Sequence, residues 1–221
     1  MAENSFKNVS TQPKIFFLLQ VKTLFLLGGV FSAFFILMMV GLVFFDYAHS
    51  MDNAIFSLMR SNSSNPILDQ TLQRIVFLGS SQFVLPLSLL VGVFLSLYRR
   101  NLALGVWFVL SVVLFEALLE SLKHLLVHSI QWLSHSANFP NATALSLALF
   151  YGLLILLMPH FITHQTLKNI LFYSLLGLIL LIGLVLIVLG VSFSSVLGGF
   201  CLGALGACFS IGIYLSVFQK I

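Results

Sequence analysis

Long apolar runs decide what this chain can fold into. They fall at about residues 23–45, 75–98, 102–115, 141–158, 170–189 and 196–217. At 1.5 Å of rise per residue, about 20 helical residues cross a hydrocarbon layer about 30 Å thick. The runs are at or near that length, and the third is prolonged by Glu116–Lys123. Only 7% of the residues are charged, where a soluble domain carries about a quarter. The sequence therefore predicts an all-α polytopic membrane protein with six transmembrane helices in one bundle. A polar tail over 1–13 precedes a membrane domain over 14–221. Short interfacial helices are expected after helix 1, on either side of the turn signal Ser61–Pro66.

Six spans put both termini on one side, and basic residues choose the side. Lys7, Lys14, Lys22, Arg99, Arg100, Lys168 and Lys220 fall on one face, and Arg60, Arg74 and Lys123 on the other. The first face is expected to be cytoplasmic. The polar segments 46–74 and 116–141 and the short turn 190–195 then share the outer face. The net charge of +4 comes from these scattered span ends, which excludes a nucleic-acid surface. Cys201 and Cys208 lie seven residues apart in one predicted helix, about 10 Å, too far for a disulfide.

Polar chemistry concentrates between Glu116 and Thr143, which holds two of the six acidic residues, three of the six histidines and Lys123. Glu116, Glu120, His124 and His128 recur every four residues and form one slanted helical stripe. Neighbours on such a stripe are about 6 Å apart, and a four-coordinate metal needs ligands from elsewhere, for which His135 and His49 are the candidates. No metal is expected there. Lys123 has acidic neighbours at Glu120 and Glu116, so an ion pair is its plainer role. Gly199-x-x-x-Gly203 in the last span permits close helix approach, within the bundle or in a dimer, with the bundle favoured. The 23 phenylalanines outline no cofactor box, and no cofactor is expected.

Six spans with polar outer segments after helices 1, 3 and 5 resemble the type-2 phosphatidic acid phosphatase superfamily. The flanks resemble it too: Asp52-Asn53-Ala54-Ile55, Arg60-Ser61, Pro66-Ile67-Leu68-Asp69 and Leu78-Gly79-Ser80. That family's signature is K-x6-R-P, P-S-G-H and S-R-x5-H followed by an aspartate. Basic residues hold the phosphate, one histidine attacks phosphorus, and the other protonates the leaving oxygen. Matched to it, this chain keeps Lys123 but has Ile130-Gln131 for Arg-Pro. Asn141, Ala142 and Thr143 replace serine, glycine and histidine. Ser192 is kept, Phe193 stands for the arginine, the segment of the nucleophilic histidine is missing, and Ser195 falls where the aspartate belongs.

The resemblance implies a multi-pass protein of the bacterial inner membrane with a degenerate catalytic centre. It binds membrane lipid, a lipid phosphate or an isoprenoid chain, through Lys123, Asn141 and Ser192, or supports a partner membrane protein. An active phosphatase with divergent residues is the competing expectation. An unrelated six-span transporter or assembly factor is the third.

Overall fold

The computed structural model describes residues 21–40, 52–55, 57, 66–129, 139–162 and 164–218. Regular structure among them is entirely helical. That is what a hydrocarbon solvent dictates, because an α-helix satisfies its own backbone donors and acceptors. Helix α1 covers Val21–Val40. It is followed in order by α2 (Pro66–Phe77), α3 (Ser81–Arg99), α4 (Leu102–Ser129), α5 (Ala142–Phe161), α6 (Gln165–Val188) and α7 (Phe193–Phe218). Six stretches are long and apolar enough to cross a membrane, with α2 and α3 sharing one of them. The tail 1–13, His49, residues 61–65, Ile130, Gln131 and His135 lie outside the described residues.

The centre of the bundle is the pair α5 and α7. Eleven residues of α5 are buried, from Ala144 to Met158, and they point to every side of the helix. A helix apolar all round belongs inside a bundle. Helix α7 meets it through small residues. A Cβ on Gly199 would stand 2.5 Å from the Asn141 carbonyl oxygen, and one on Gly203 would stand 2.5 Å from that of Leu145. The small-residue stripe therefore packs inside the bundle, the favoured of its two readings. Helix α4 joins α7 through the Trp107 indole, whose Nε1–H donates to the Ser210 carbonyl at 2.9 Å. Helix α1 is peripheral, touching α7 where Phe25 meets Phe209 edge-on at 5.5 Å.

Four boundaries differ from the sequence reading. The second span is not one helix, because residues 78–80 interrupt it. Gly79 and Ser80 are poor helix formers, the Ser80 hydroxyl donates to the Phe77 carbonyl, and Gly79 seats against Thr143 and Leu147. Helix α5 runs through Pro159 to Phe161. So near a C-terminus the missing N–H forfeits a single bond, and the Ile162 N–H still reaches Met158 O at 3.0 Å. Helix α6 starts at Gln165 rather than Ile170, with a Gln165–Asn169 side-chain bond along its polar first turns. Helix α7 starts at Phe193, which brings Ser194 and Ser195 onto its first turn.

Candidate functional site

Among the described residues, the signature positions other than Lys123 fall in two short stretches, 141–143 and 192–195, and the fold joins them. Asn141 is the N-cap of α5, in extended conformation, with Oδ1 accepting the Ala144 N–H at 2.9 Å. The Asn141 N–H donates to the Ser195 carbonyl at 3.0 Å, which stitches the start of α5 to the first turn of α7. The approach of the two backbones at Gly199 makes that bond possible. Ala142 and Thr143 form the first turn of α5, partly exposed, with the Thr143 methyl turned toward Gly79. Ser192 and Phe193 are partly exposed, whereas Ser194 and Ser195 are buried. The Ser192 carbonyl accepts the Val196 N–H at 3.1 Å. A cis peptide joins Phe139 to Pro140 ahead of the cap. The Phe139 ring fills the space beside Gly198 and stacks on Phe35 at 6.0 Å.

Asp52 closes the other half of the junction. Its Oδ1 accepts the Ser194 N–H at 3.1 Å and its Oδ2 accepts the Ser194 hydroxyl at 2.6 Å. The first amides of a helix lack intrahelical partners and carry the positive end of its dipole, so a carboxylate is their natural complement. No site role attached to Asp52 in the sequence reading. The signal was its place in the family-like run Asp52–Ile55, which carries no hint of a partner 142 residues away.

Lys123 stands on α4, partly exposed. Its two candidate ion-pair partners behave differently. Glu116 turns to α5, where its Oε1 accepts the Ser146 hydroxyl at 2.8 Å. Ser146 is fully buried, also reaches the Ala142 carbonyl at 3.0 Å, and lies 3.3 Å from the Ser81 hydroxyl of α3. Glu120 and His124 are exposed. The Glu116–Ser146 bond fixes the register of α4 against α5. From that level, Lys123 is about 10 Å further along α4 and Ala142 about 6 Å further along α5 in the same direction. The lysine backbone thus lies about 4 Å beyond the first turn of α5. No group of three or more metal-ligating side chains gathers among the described residues.

The arrangement has a definite electrostatic sense. Two parallel helices present their N-termini side by side, a geometry that favours an anion. Part of that capacity is taken by the chain's own oxygens, Asn141 Oδ1 on α5 and the Asp52 carboxylate on α7. Asn141, Thr143 and Ser192 offer polar side chains around the junction, and Phe193 offers none.

No protein-family model and no curated protein matches the sequence. Among solved structures, one match is the crystal structure of the first transmembrane PAP2 type phosphatidylglycerolphosphate phosphatase from Bacillus subtilis. It superposes with a TM-score of 0.74 at 23% identity, over 88% of this chain and 98% of that one. That likeness speaks for the architecture: the chain is a multi-pass helical membrane protein with the fold of the PAP2-type membrane phosphatases.

Proposed function

We propose that this protein is a lipid-binding relative of the membrane lipid phosphatases that has lost the phosphatase reaction. It holds a lipid phosphate at the junction of α5 and α7. The observation that carries the reading is the bond from Asn141 N–H to the Ser195 carbonyl, with Ser192 three residues from the latter. It unites two of the three proposed ligand positions on one surface. The third, Lys123, starts about 4 Å beyond the level of Ala142, within reach of a head group above the junction. The same surface argues against turnover. Its histidine positions hold Thr143 and no counterpart at all, and Phe193 stands for an arginine. A reaction through a phosphohistidine needs its nucleophile at a fixed place. Each lost charged contact to the transition state costs about two to three decades in rate.

The test is release of inorganic phosphate from phosphatidic acid, phosphatidylglycerophosphate and undecaprenyl pyrophosphate in detergent. No release over hours is expected. Turnover that Lys123→Ala abolishes would overturn the loss of activity.

In this reading the protein sits in a bacterial inner membrane with both termini cytoplasmic, on the seven-to-three asymmetry of basic residues. The polar tail 1–13 then faces the cytoplasm, the membrane domain spans 14–221, and α2 lies at the outer interface, consistent with its Asp69 and Arg74. Single cysteines at 61–66 should react with an impermeant reagent added to intact cells, and one at 164 should not. Labelling at 164 reverses the orientation.

A further inference from the structure

Below the junction lies a second polar cluster that the phosphate-binding reading does not use: Ser81 of α3, Glu116 of α4 and Ser146 of α5. We infer that this cluster is a subsite for the hydroxyl group of a neutral lipid alcohol of the diacylglycerol type. The inference deepens the proposed function and rests on its premise that lipid enters the outer half of the bundle.

Depth is the first argument. Glu116 is 14 residues beyond Leu102, the start of α4, or about 21 Å into the span, and about 10 Å short of Lys123. That places the carboxyl group below the level of a phosphate and inside the apolar layer. An ionisable side chain there is costly and calls for a partner. The second argument is acceptor capacity. A carboxylate has about four acceptor positions. Among the described residues one hydrogen bond reaches it, from Ser146 to Oε1. Glu116 is also only partly buried rather than sealed in the core. Ser146, by contrast, has no exposure and is in range of three oxygens, those of Glu116, Ala142 and Ser81.

The complement of such a group is a hydrogen-bond donor at that depth. Phosphodiester and carboxylic-ester groups bring acceptors alone, so they can meet the Ser81 hydroxyl but leave the free acceptor positions of the Glu116 carboxyl group unfilled. An ammonium head group donates, but it lies outside its own phosphate, at or above Lys123. A lipid alcohol with no phosphate carries its O–H at the glycerol level. There it donates to the Glu116 carboxyl group, and its oxygen accepts from the Ser81 hydroxyl.

The test uses purified protein in detergent with radiolabelled dioleoylglycerol, displaced by unlabelled dioleoylglycerol, by 1,2-dioleoyl-3-acetylglycerol or by dioleoylphosphatidic acid. Blocking the hydroxyl with acetate is expected to weaken displacement about tenfold, the value of one hydrogen bond to a charged group. Glu116→Ala should erase that difference and Lys123→Ala should leave it. Equal displacement by the alcohol and its acetate in the wild type would overturn the inference, whether or not any variant folds. So would a difference that persists in Glu116→Ala. Phosphatidic acid separates the two proposals. If it binds through Lys123 while the alcohol shows no preference, this inference fails alone. If the alcohol preference holds while phosphatidic acid binding ignores Lys123, the phosphate site fails alone.

Discussion

Helices α3 and α4 approach each other as closely as α5 and α7 do, and glycine permits it in both pairs. A Cβ on Gly105 would collide with the Gly92 carbonyl and the Ser96 hydroxyl, just as one on Gly203 would collide with the Leu145 carbonyl. Yet the pairs differ in direction. Helices α3 and α4 are consecutive and antiparallel, turned by Arg100 in the left-handed region at φ 51°. A helix C-terminus there meets a helix N-terminus, and the two dipole ends offset each other. Helices α5 and α7 are separated by a full span, run parallel and start at one level, so two positive ends add. The outer flank of α3–α4 is an aliphatic groove of about 460 Å³ lined by Leu89, Val93, Leu97, Val106 and Leu110. The head of α5–α7 is a set of polar caps. Close packing alone therefore does not bring like helix ends together; close packing of parallel helices does, because only then do first-turn amides converge.

The largest expected effect comes from prising the parallel pair apart. Gly203→Val sets a branched side chain against the α5 backbone, where neither helix has slack. A loss of about 3 kcal/mol is expected, at the upper end of ordinary overpacking. Gly177→Val on α6 is the matched control, since nothing lies within 4 Å of a Cβ there. Its change should stay within about 0.5 kcal/mol. Chemical denaturation in detergent compares the two. Equal tolerance would mean that the α5–α7 contact is not the closed centre of the fold.

The next effect tests the junction. Asp52→Ala removes both acceptors from Ser194, one bond to its N–H and one to its hydroxyl. A cost of about 2 kcal/mol is expected, since bonds to a charged group exceed neutral ones and Ser194 is left buried with two unmet donors. Asp69→Ala, partly exposed on the first turn of α2, is expected to change stability little. A null result for Asp52 would show that water replaces the carboxylate freely and that the head of α7 is open.

How far the sequence announced all this follows from the range of each interaction. Span number and helical class were legible because the requirement for about 20 apolar residues is local. The Gly199–Gly203 contact was legible because spacing by four puts both glycines on one face. The junction was half legible. The matched stretches 141–143 and 192–195 indicated that they belong together, but the bond from Asn141 to the Ser195 carbonyl is a backbone contact with no side-chain signature. Helix starts were the weakest part. The α7 boundary moved three residues, from Val196 to Phe193, because polar Ser194 and Ser195 read as a turn until a partner for them is known. Asp52 supplies the partner of Ser194, and nothing local foretells it. Read locally, Glu116 belongs to a stripe or to Lys123, and its partner Ser146 lies 30 residues away on another helix.

The smallest effect discriminates most finely, because the two pairs each contain an asparagine cap. Asn141 Oδ1 accepts the Ala144 N–H at 2.9 Å, and Asn101 Oδ1 accepts the Ala103 N–H at 3.0 Å. Chemically the two bonds are alike. Their surroundings are not, since Asn101 is exposed in the α3–α4 hairpin while Asn141 is partly buried beneath α7. At Asn101→Ala, water takes over the freed amide, and the loss should be a few tenths, about 0.3 kcal/mol, below the usual cap value. At Asn141→Ala the neighbouring helix restricts water, so the loss should reach about 1–2 kcal/mol. Asn141→Asp adds a second test. It keeps the cap and brings a negative charge to the paired N-termini, which should stabilise the fold by about 0.3–1 kcal/mol through the dipole. The same charge should oppose a phosphate at the junction and lower retention of phosphatidic acid. Asn101→Asp, facing one positive and one negative helix end, should do neither. Equal responses at positions 101 and 141 would mean that the direction of the paired helices is electrostatically irrelevant, and the anion-favouring character of the α5–α7 head would have to be abandoned.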